Sequence, residues 1–329
     1  MIGKLRASTS TLFPGLAVAV TLGLAASFLG EHYGAPTMLF ALLLGMALSF
    51  LYENEKTVPG VNFAGCEILR TGVALLGLRI AIGDVMAVGW ESLLLIAVGI
   101  VTTIGFGIFL ARLLGLKSVF GGLTGGAVAI CGASAAMALS AVLPEGKDKE
   151  KNTIFAVIGV TSLSTVAMVF YPMIAGTLSL DDNAAGLFLG GTIHDVAQVV
   201  GAGYSISEPA GDTATLVKLI RVAFLVPVVF IFALVFRSKN VGSTRGKILP
   251  VFLMGFAFFV LLNSYVVIPI ELKDFFVTAS RFMLVTAIAA IGLKSNLREL
   301  ANVGLRPILL MVMETVWLAV IILGYMLAF

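Results

Sequence analysis

Apolar runs of about twenty residues follow one another along this chain with little between them. Eleven stand out, over approximately 11–30, 35–52, 62–80, 91–114, 118–143, 152–172, 184–203, 213–236, 248–269, 274–293 and 304–328. A helix of about twenty apolar residues spans the hydrocarbon of a bilayer. The pattern therefore predicts an all-α polytopic membrane protein with about 9–11 transmembrane segments. Nine segments read as ordinary helices. The fifth, "GGLTGGAVAICGASAAMAL", and the seventh, "GGTIHDVAQVVGAG", are rich in Gly and hold polar residues at mid-depth. Gly weakens a helix by about 1 kcal/mol relative to Ala. Broken backbone at membrane depth is tolerated only inside protein or beside a water-filled cavity. Small-residue packing would explain one such segment. Two of them, both polar at depth, point to a substrate or ion site built on broken or re-entrant helices.

Charges in the connections orient the segments, because Lys and Arg concentrate on the cytoplasmic side. Lys4 and Arg6 put the N-terminus inside, and the run from Leu12 to Leu29 is longer than a signal-peptide core. Arg112 and Lys117 follow segment four, Lys147, Lys149 and Lys151 follow segment five, and Arg237, Lys239, Arg245 and Lys247 follow segment eight. The connections around segment seven carry Asp181, Asp182, Glu208 and Asp212. One arrangement satisfies them all: segment five enters from inside and returns, and segment seven enters from outside and returns. Two broken helices that cross fully are the alternative, which leaves the Lys147–Lys151 connection outside. The C-terminus is expected outside.

An internal repeat fits the same picture. "LRTGVALLGLRIAIGDVMAVGWESLLL" from Leu69 and "LVTAIAAIGLKSNLRELANVGLRPILL" from Leu284 match at an offset of 215. The pairs include Thr71/Thr286, Gly77/Gly292, Arg79/Lys294, Asp84/Glu299 and Gly89/Gly304, and nine of 27 positions are identical, where roughly three are expected by chance. Pro36 and Pro250 open the preceding segments at nearly the same offset. An odd number of crossings between the copies makes the repeats inverted, which puts a transporter's site at their interface. The expectation is one membrane transporter domain over 1–329, with repeat portions at approximately 35–114 and 249–329 and a broken-helix core at approximately 118–236.

Composition narrows the function classes. The chain is 59% hydrophobic and 12% charged, against about 25% charged in soluble domains. The net charge of +3 comes from short connections and implies no nucleic acid partner. Cys66 and Cys131 both lie in apolar segments and are expected to be packing residues. No metal-ligand spacing, phosphate loop or dinucleotide fingerprint is present. Ser134 sits in "GASA", which lacks the second Gly of a G-x-S-x-G nucleophile turn, so no enzyme is expected. The expected partners are the lipid bilayer and a small anionic substrate, with a homodimer allowed. No cofactor is expected beyond Na+ or H+ as coupling ion.

The candidate residues follow from the two unusual segments. In segment five, a broken helix exposes N–H groups and the positive end of a half-helix, which favours an anion. Thr124, Gly125, Gly126, Cys131, Gly132 and Ser134 are the substrate-binding candidates there. Segment seven supplies His194 and Gln198, which share one helix face, and Asp195. A mid-membrane Asp is costly unless it is paired or hydrated, so Asp195, with His194, is the coupling-ion candidate. Among other charges in spans, Arg70 is a possible contact to substrate or to Glu67, and Glu314 is acidic. Lys218 and Arg221 lie early in segment eight and are expected to snorkel to the interface.

"AICGASAAMA", "GGTIHDVAQVVGAG" and "AIAAIGLKSNLRELANVG" resemble the YeiH-type sulfate-exporter family (UPF0324-like), over essentially the whole chain. The resemblance implies a bacterial or archaeal plasma-membrane protein of about ten helices. More distantly, the chain is similar to the bile-acid/sodium symporter superfold, which implies a core moving against a panel and broken helices that cross. The resulting expectation is a secondary active transporter of a small anion, sulfate or sulfonate-like, coupled to H+ or Na+. A passive anion pore and a membrane scaffold or signalling subunit are the alternatives.

Overall fold

The computed structural model describes residues 2–33, 36–144, 148–235, 251–295 and 304–328, and these are helices joined by short turns. Lys147, Arg237, Lys239, Arg245, Lys247, Pro250 and Glu299, used above, lie outside the described residues. Among the described residues sixteen α-helices follow in order: α1 (Ile2–Tyr33), α2 (Thr37–Ala47), α3 (Val58–Phe63), α4 (Leu69–Leu76), α5 (Ile82–Ala87), α6 (Gly89–Leu113), α7 (Ser118–Ala129), α8 (Ala133–Val142), α9 (Lys149–Thr177), α10 (Asp182–Thr192), α11 (Val196–Ile206), α12 (Glu208–Ala223), α13 (Leu225–Val235), α14 (Val251–Tyr265), α15 (Ile270–Lys294) and α16 (Leu305–Ala328). A π-helical turn, Ala64–Ile68, joins α3 to α4. Among the described residues six stretches are long and apolar enough to cross a bilayer: Thr11–Tyr33, Gly89–Leu113, Lys149–Thr177, Glu208–Val235, Ile270–Lys294 and Leu305–Ala328. The protein is a multi-pass membrane protein.

The chain divides into two compact units, one drawn from 1–86, 200–212 and 251–296, the other from 87–199, 213–250 and 297–329. In the first, helices cross where glycines let backbones touch. Gly15 of α1 lies on Gly60 of α3, and Gly45 of α2 on Gly292 of α15. Gly77, 215 residues before Gly292, packs on Phe256 and Val260 of α14. A side chain at these crossings would meet backbone, so the helices would have to separate.

In the second unit, α6 and α16 are antiparallel. Gly99 meets Leu318, the rings of Phe106 and Trp317 stack at 4.6 Å, Gly107 meets Glu314, and Tyr325 reaches Glu91. Gly89, the first residue of α6, and Gly304, just before α16, are again 215 apart and have positive φ of 75° and 93°. Glycine takes that conformation without the clash a Cβ would bring.

Both Gly-rich segments are hairpins. Lys117, just before α7, bonds Asp148, just before α9, at 2.8 Å. A crossing helix would hold these residues some 30 Å or more apart. Leu139 of α8 also lies against Gly126 of α7, so the chain doubles back after Ala129. The crossing geometry implied by the superfold resemblance is therefore not what segment five forms. Segment seven returns too. Asn183 lies beside Thr213, Gly190 beside Val217, and Ile193 beside Lys218 and Arg221, so α10 and α12 run parallel. Only Ser207 joins α11 to α12, so α11 runs back from the break.

The hairpins enter from opposite ends. Along α16 from Leu305, Arg306 comes close to Gly115 ahead of α7, Glu314 to Thr124, Thr315 to His194, and Ile322 to Gly191 of α10. Hairpin one thus rises along α16 while hairpin two descends, and the tips meet near its middle.

Candidate functional site

Each hairpin tip is a short stretch of broken helix. Ile130 leaves helical geometry (φ −114°, ψ −86°), Gly132 takes φ 63°, ψ −128°, and Ile193 is extended (φ −63°, ψ 141°). A helix end leaves its last carbonyls without partners, and here two such ends are buried. Lys218 and Arg221, three residues apart on one face of α12, complete them. Both side chains are buried. Lys218 Nζ donates to Ile130 O (2.6 Å) and Ile193 O (2.9 Å). Arg221 Nε donates to Ala129 O, one terminal nitrogen to Gly190 O and Ile193 O, and the other to Val128 O and Ala129 O, all within 3.0 Å. These five bonds match the five N–H groups of a guanidinium. The cations also face the negative ends of two half-helices. Snorkelling to the interface, expected from the sequence, is overturned by this burial.

Asp195 opens α11, and its backbone N–H donates to Ser164 Oγ at 3.0 Å. Its carboxylate sits over Gly132, where an added Cβ would fall 2.5 Å from Oδ1. The carboxylate thus lies at the N-terminus of α8, whose dipole favours a negative charge. Lys218, Asp195 and Arg221 all act electrostatically on buried Cys131 at the tip. The tips gather two cations and one carboxylate.

His194 is wholly buried. Its Nε2 lies 3.0 Å from Thr315 Oγ1, and that hydroxyl donates its proton to Met311 O (2.8 Å). His194 Nδ1 and Gln198 Oε1 are buried with no partner in hydrogen-bonding geometry. One residue back on α16, Glu314 is also wholly buried. Thr124 Oγ1 lies 2.8 Å from Glu314 Oε1, and Oε2 has no partner. Consecutive residues of α16 thus hold one hairpin each.

The remaining candidates separate by location. Gly125 packs on Thr103 and Ile104 of α6, and Gly126 on Leu139. Ser134 is exposed on the first turn of α8. Arg70 belongs to the other unit, in an exposed pair with Glu67 at 2.8 Å. That unit also holds a cavity of about 510 Å³ bordered by Arg79, Tyr204, Glu208 and Arg281. Arg79 bonds Glu208 (3.0 Å) and Asp212 (3.1 Å), and Tyr204 donates to Asp212. Outside the spans, the hydrogen bond from Lys117 holds the Asp148 carboxyl below its usual range.

The family described as conserved hypothetical protein 698 matches residues 14–311. A UPF0324 membrane protein of Chlorobaculum tepidum is 52% identical, covering 95% of this chain and 88% of that protein. The UPF0324 membrane protein TauZ of Paracoccus denitrificans is 50% identical, covering 94% and 93%. A Rhizobium meliloti UPF0324 membrane protein is 50% identical, covering 96% and 93%. Among solved structures, the sodium proton antiporter MjNhaP1 from Methanocaldococcus jannaschii aligns over 96% of this chain and 99% of that one. Its 14% identity and TM-score of 0.30 carry no argument.

Proposed function

We propose that this chain, which belongs to the family of UPF0324 membrane proteins described as conserved hypothetical protein 698, is a secondary active transporter of a small anion. The observation that carries the reading is the meeting of two opposed hairpins at buried Lys218 and Arg221, with half-buried Asp195 beside them. Hairpins that enter from opposite ends give two approaches to one centre, the geometry alternating access requires. Irregular backbone at that depth is also the usual setting for a transported ion.

The charges supply a coupling mechanism. Asp195 now occupies the positive end of α8 over Gly132. A Na+ or H+ taken by Asp195 cancels its charge. Lys218, Arg221 and the α8 N-terminus then present uncompensated positive potential to an anion, with Ser134 and Cys131 alongside. Lys218 uses two of its three ammonium hydrogens on carbonyls, which leaves one for the substrate. Cation and anion thus bind together and release together. Sulfate or a sulfonate suits such a site, since it offers several acceptor oxygens to hydrogen-bond donors. The protein works in the bacterial plasma membrane, with the N-terminus cytoplasmic.

Flux into proteoliposomes under an imposed H+ or Na+ gradient tests this. Asp195→Asn should lower ion-driven sulfate or sulfonate flux at least about tenfold, equivalent to about 1.4 kcal/mol, with its thermal unfolding unchanged. Fully coupled transport by that variant would remove Asp195 from the mechanism. Saturable counterflow distinguishes a carrier from a pore.

A further inference from the structure

We infer that Glu314 is a second proton-binding site, one that links proton uptake to the position of both hairpins. The inference deepens the transporter reading and rests on it for its role in a cycle. The site itself stands on geometry.

Glu314 is wholly buried in the second unit, and no Lys or Arg among the described residues pairs with it. A carboxylate offers about four acceptor positions. Here one faces a donor, Thr124, and Oε2 faces none. A buried ion so poorly compensated is costly, and such groups inside membranes mark proton or ion routes. The neutral acid fits better. Its O–H donates to Thr124 Oγ1, and the Thr124 proton goes to Phe120 O at 3.1 Å. On ionisation the Thr124 hydroxyl turns to donate to Glu314 instead. One hydroxyl serves both protonation states.

The surroundings supply a path. Gly107 of α6 lies against Glu314, so no α6 side chain covers it there. Thr103, one turn before Gly107, and Trp317, one turn after Glu314, each carry a buried polar atom without a partner. So do His194 at Nδ1 and Gln198 at Oε1. Unsatisfied polar atoms in a buried region are where ordered water is expected.

The titratable groups around Glu314 are few. The α6 face that meets α16 brings Glu91, which lies far along it beside Tyr325. The α7 contact brings only Thr124, and the α9 contact, Gly159 against Met311, brings none. The α10–α11 break brings His194, bonded to the neighbouring Thr315, and Asp195. Lys218 and Arg221 of α12 lie at the tips. The step is simple: the Glu314 carboxylate takes one proton from water on one side and becomes the neutral acid. Returning that proton to water on the other side restores the carboxylate.

Infrared difference spectra of the reconstituted full chain, between acid and alkaline buffer, read this directly. Wild type should show the carbonyl stretch of a protonated, buried carboxylic acid that is lost on raising the pH. Glu314→Gln should remove that band, while Asp195→Asn retains it. Thr124→Val, which removes the hydrogen-bond partner, should shift the band to higher frequency and covers the case in which Glu314→Gln fails to fold. No such band in wild type, an unchanged band in Glu314→Gln, or an unmoved band in Thr124→Val overturns the inference. A band with the predicted behaviour in a protein that carries no anion flux would instead sink the transporter reading and leave the proton site standing.

Discussion

At the scale of single residues, Arg221 and Lys218 organise the candidate site. Arg221 gives all five of its N–H groups to carbonyls of both hairpins. Lys cannot copy this, since its ammonium has three donors and no planar fork. Arg221→Lys should lower stability by roughly 3 kcal/mol or more, from at least two lost charge-assisted bonds, read as a fall in thermal unfolding midpoint in detergent. An unchanged midpoint would mean the carbonyls find other partners. The sequence did contain a sign of these roles. Two broken helices leave buried carbonyls that need donors, and the Lys218/Arg221 spacing puts two long cations on one helix face. Distance from the start of a helix, the basis for expecting snorkelling, takes no account of what the neighbouring backbone lacks. Glu314 was visible only as an acid in a span, because its partner Thr124 lies 190 residues away.

At the scale of elements, the two hairpins were the more legible part. Gly-rich, polar segments indicated breaks, and the basic and acidic connections indicated entry from opposite sides. The Lys117–Asp148 bond and the parallel run of α10 and α12 give that arrangement its geometry. The Gly125–Gly126 pair was less legible. Glycine at a tight packing contact and glycine beside a ligand have the same sequence, and only the nearness of α6 and Leu139 distinguishes them. Glycines paired in the expected repeat sit in like places: Gly77 and Gly292 at helix crossings, Gly89 and Gly304 at positive φ. A crosslinking experiment tests hairpin one. With Cys66 and Cys131 replaced, Lys117→Cys and Asp148→Cys together should be joined by a short bifunctional maleimide, with the link found by mass spectrometry. Failure to join them, while single cysteines label normally, would return segment five to a full crossing.

At the scale of the whole molecule, the opposed entry of the hairpins makes a prediction about sidedness. α7 starts near the Leu305 end of α16, and α10 runs in from the other end. A cysteine at Lys117 or Asp148 should therefore react with an impermeant thiol reagent from one face of the membrane, and a cysteine at Asp181 only from the other. In the orientation proposed above, which places the basic connections inside, the Lys117 face is the cytoplasmic one. Labelling of both positions from the same face of intact cells would contradict the fold.

The way Arg221 is bonded has a mechanical consequence. One guanidinium ties Val128 and Ala129 of the first hairpin to Gly190 and Ile193 of the second. Lys218 adds another tie across the same gap. Neither loop can swing open alone without stripping several bonds from buried carbonyls. A carrier fastened in this way has no pair of independent doors. In the proposed transport cycle its two loops would travel as one block, and exposure to either side of the membrane would have to come from what slides past that block.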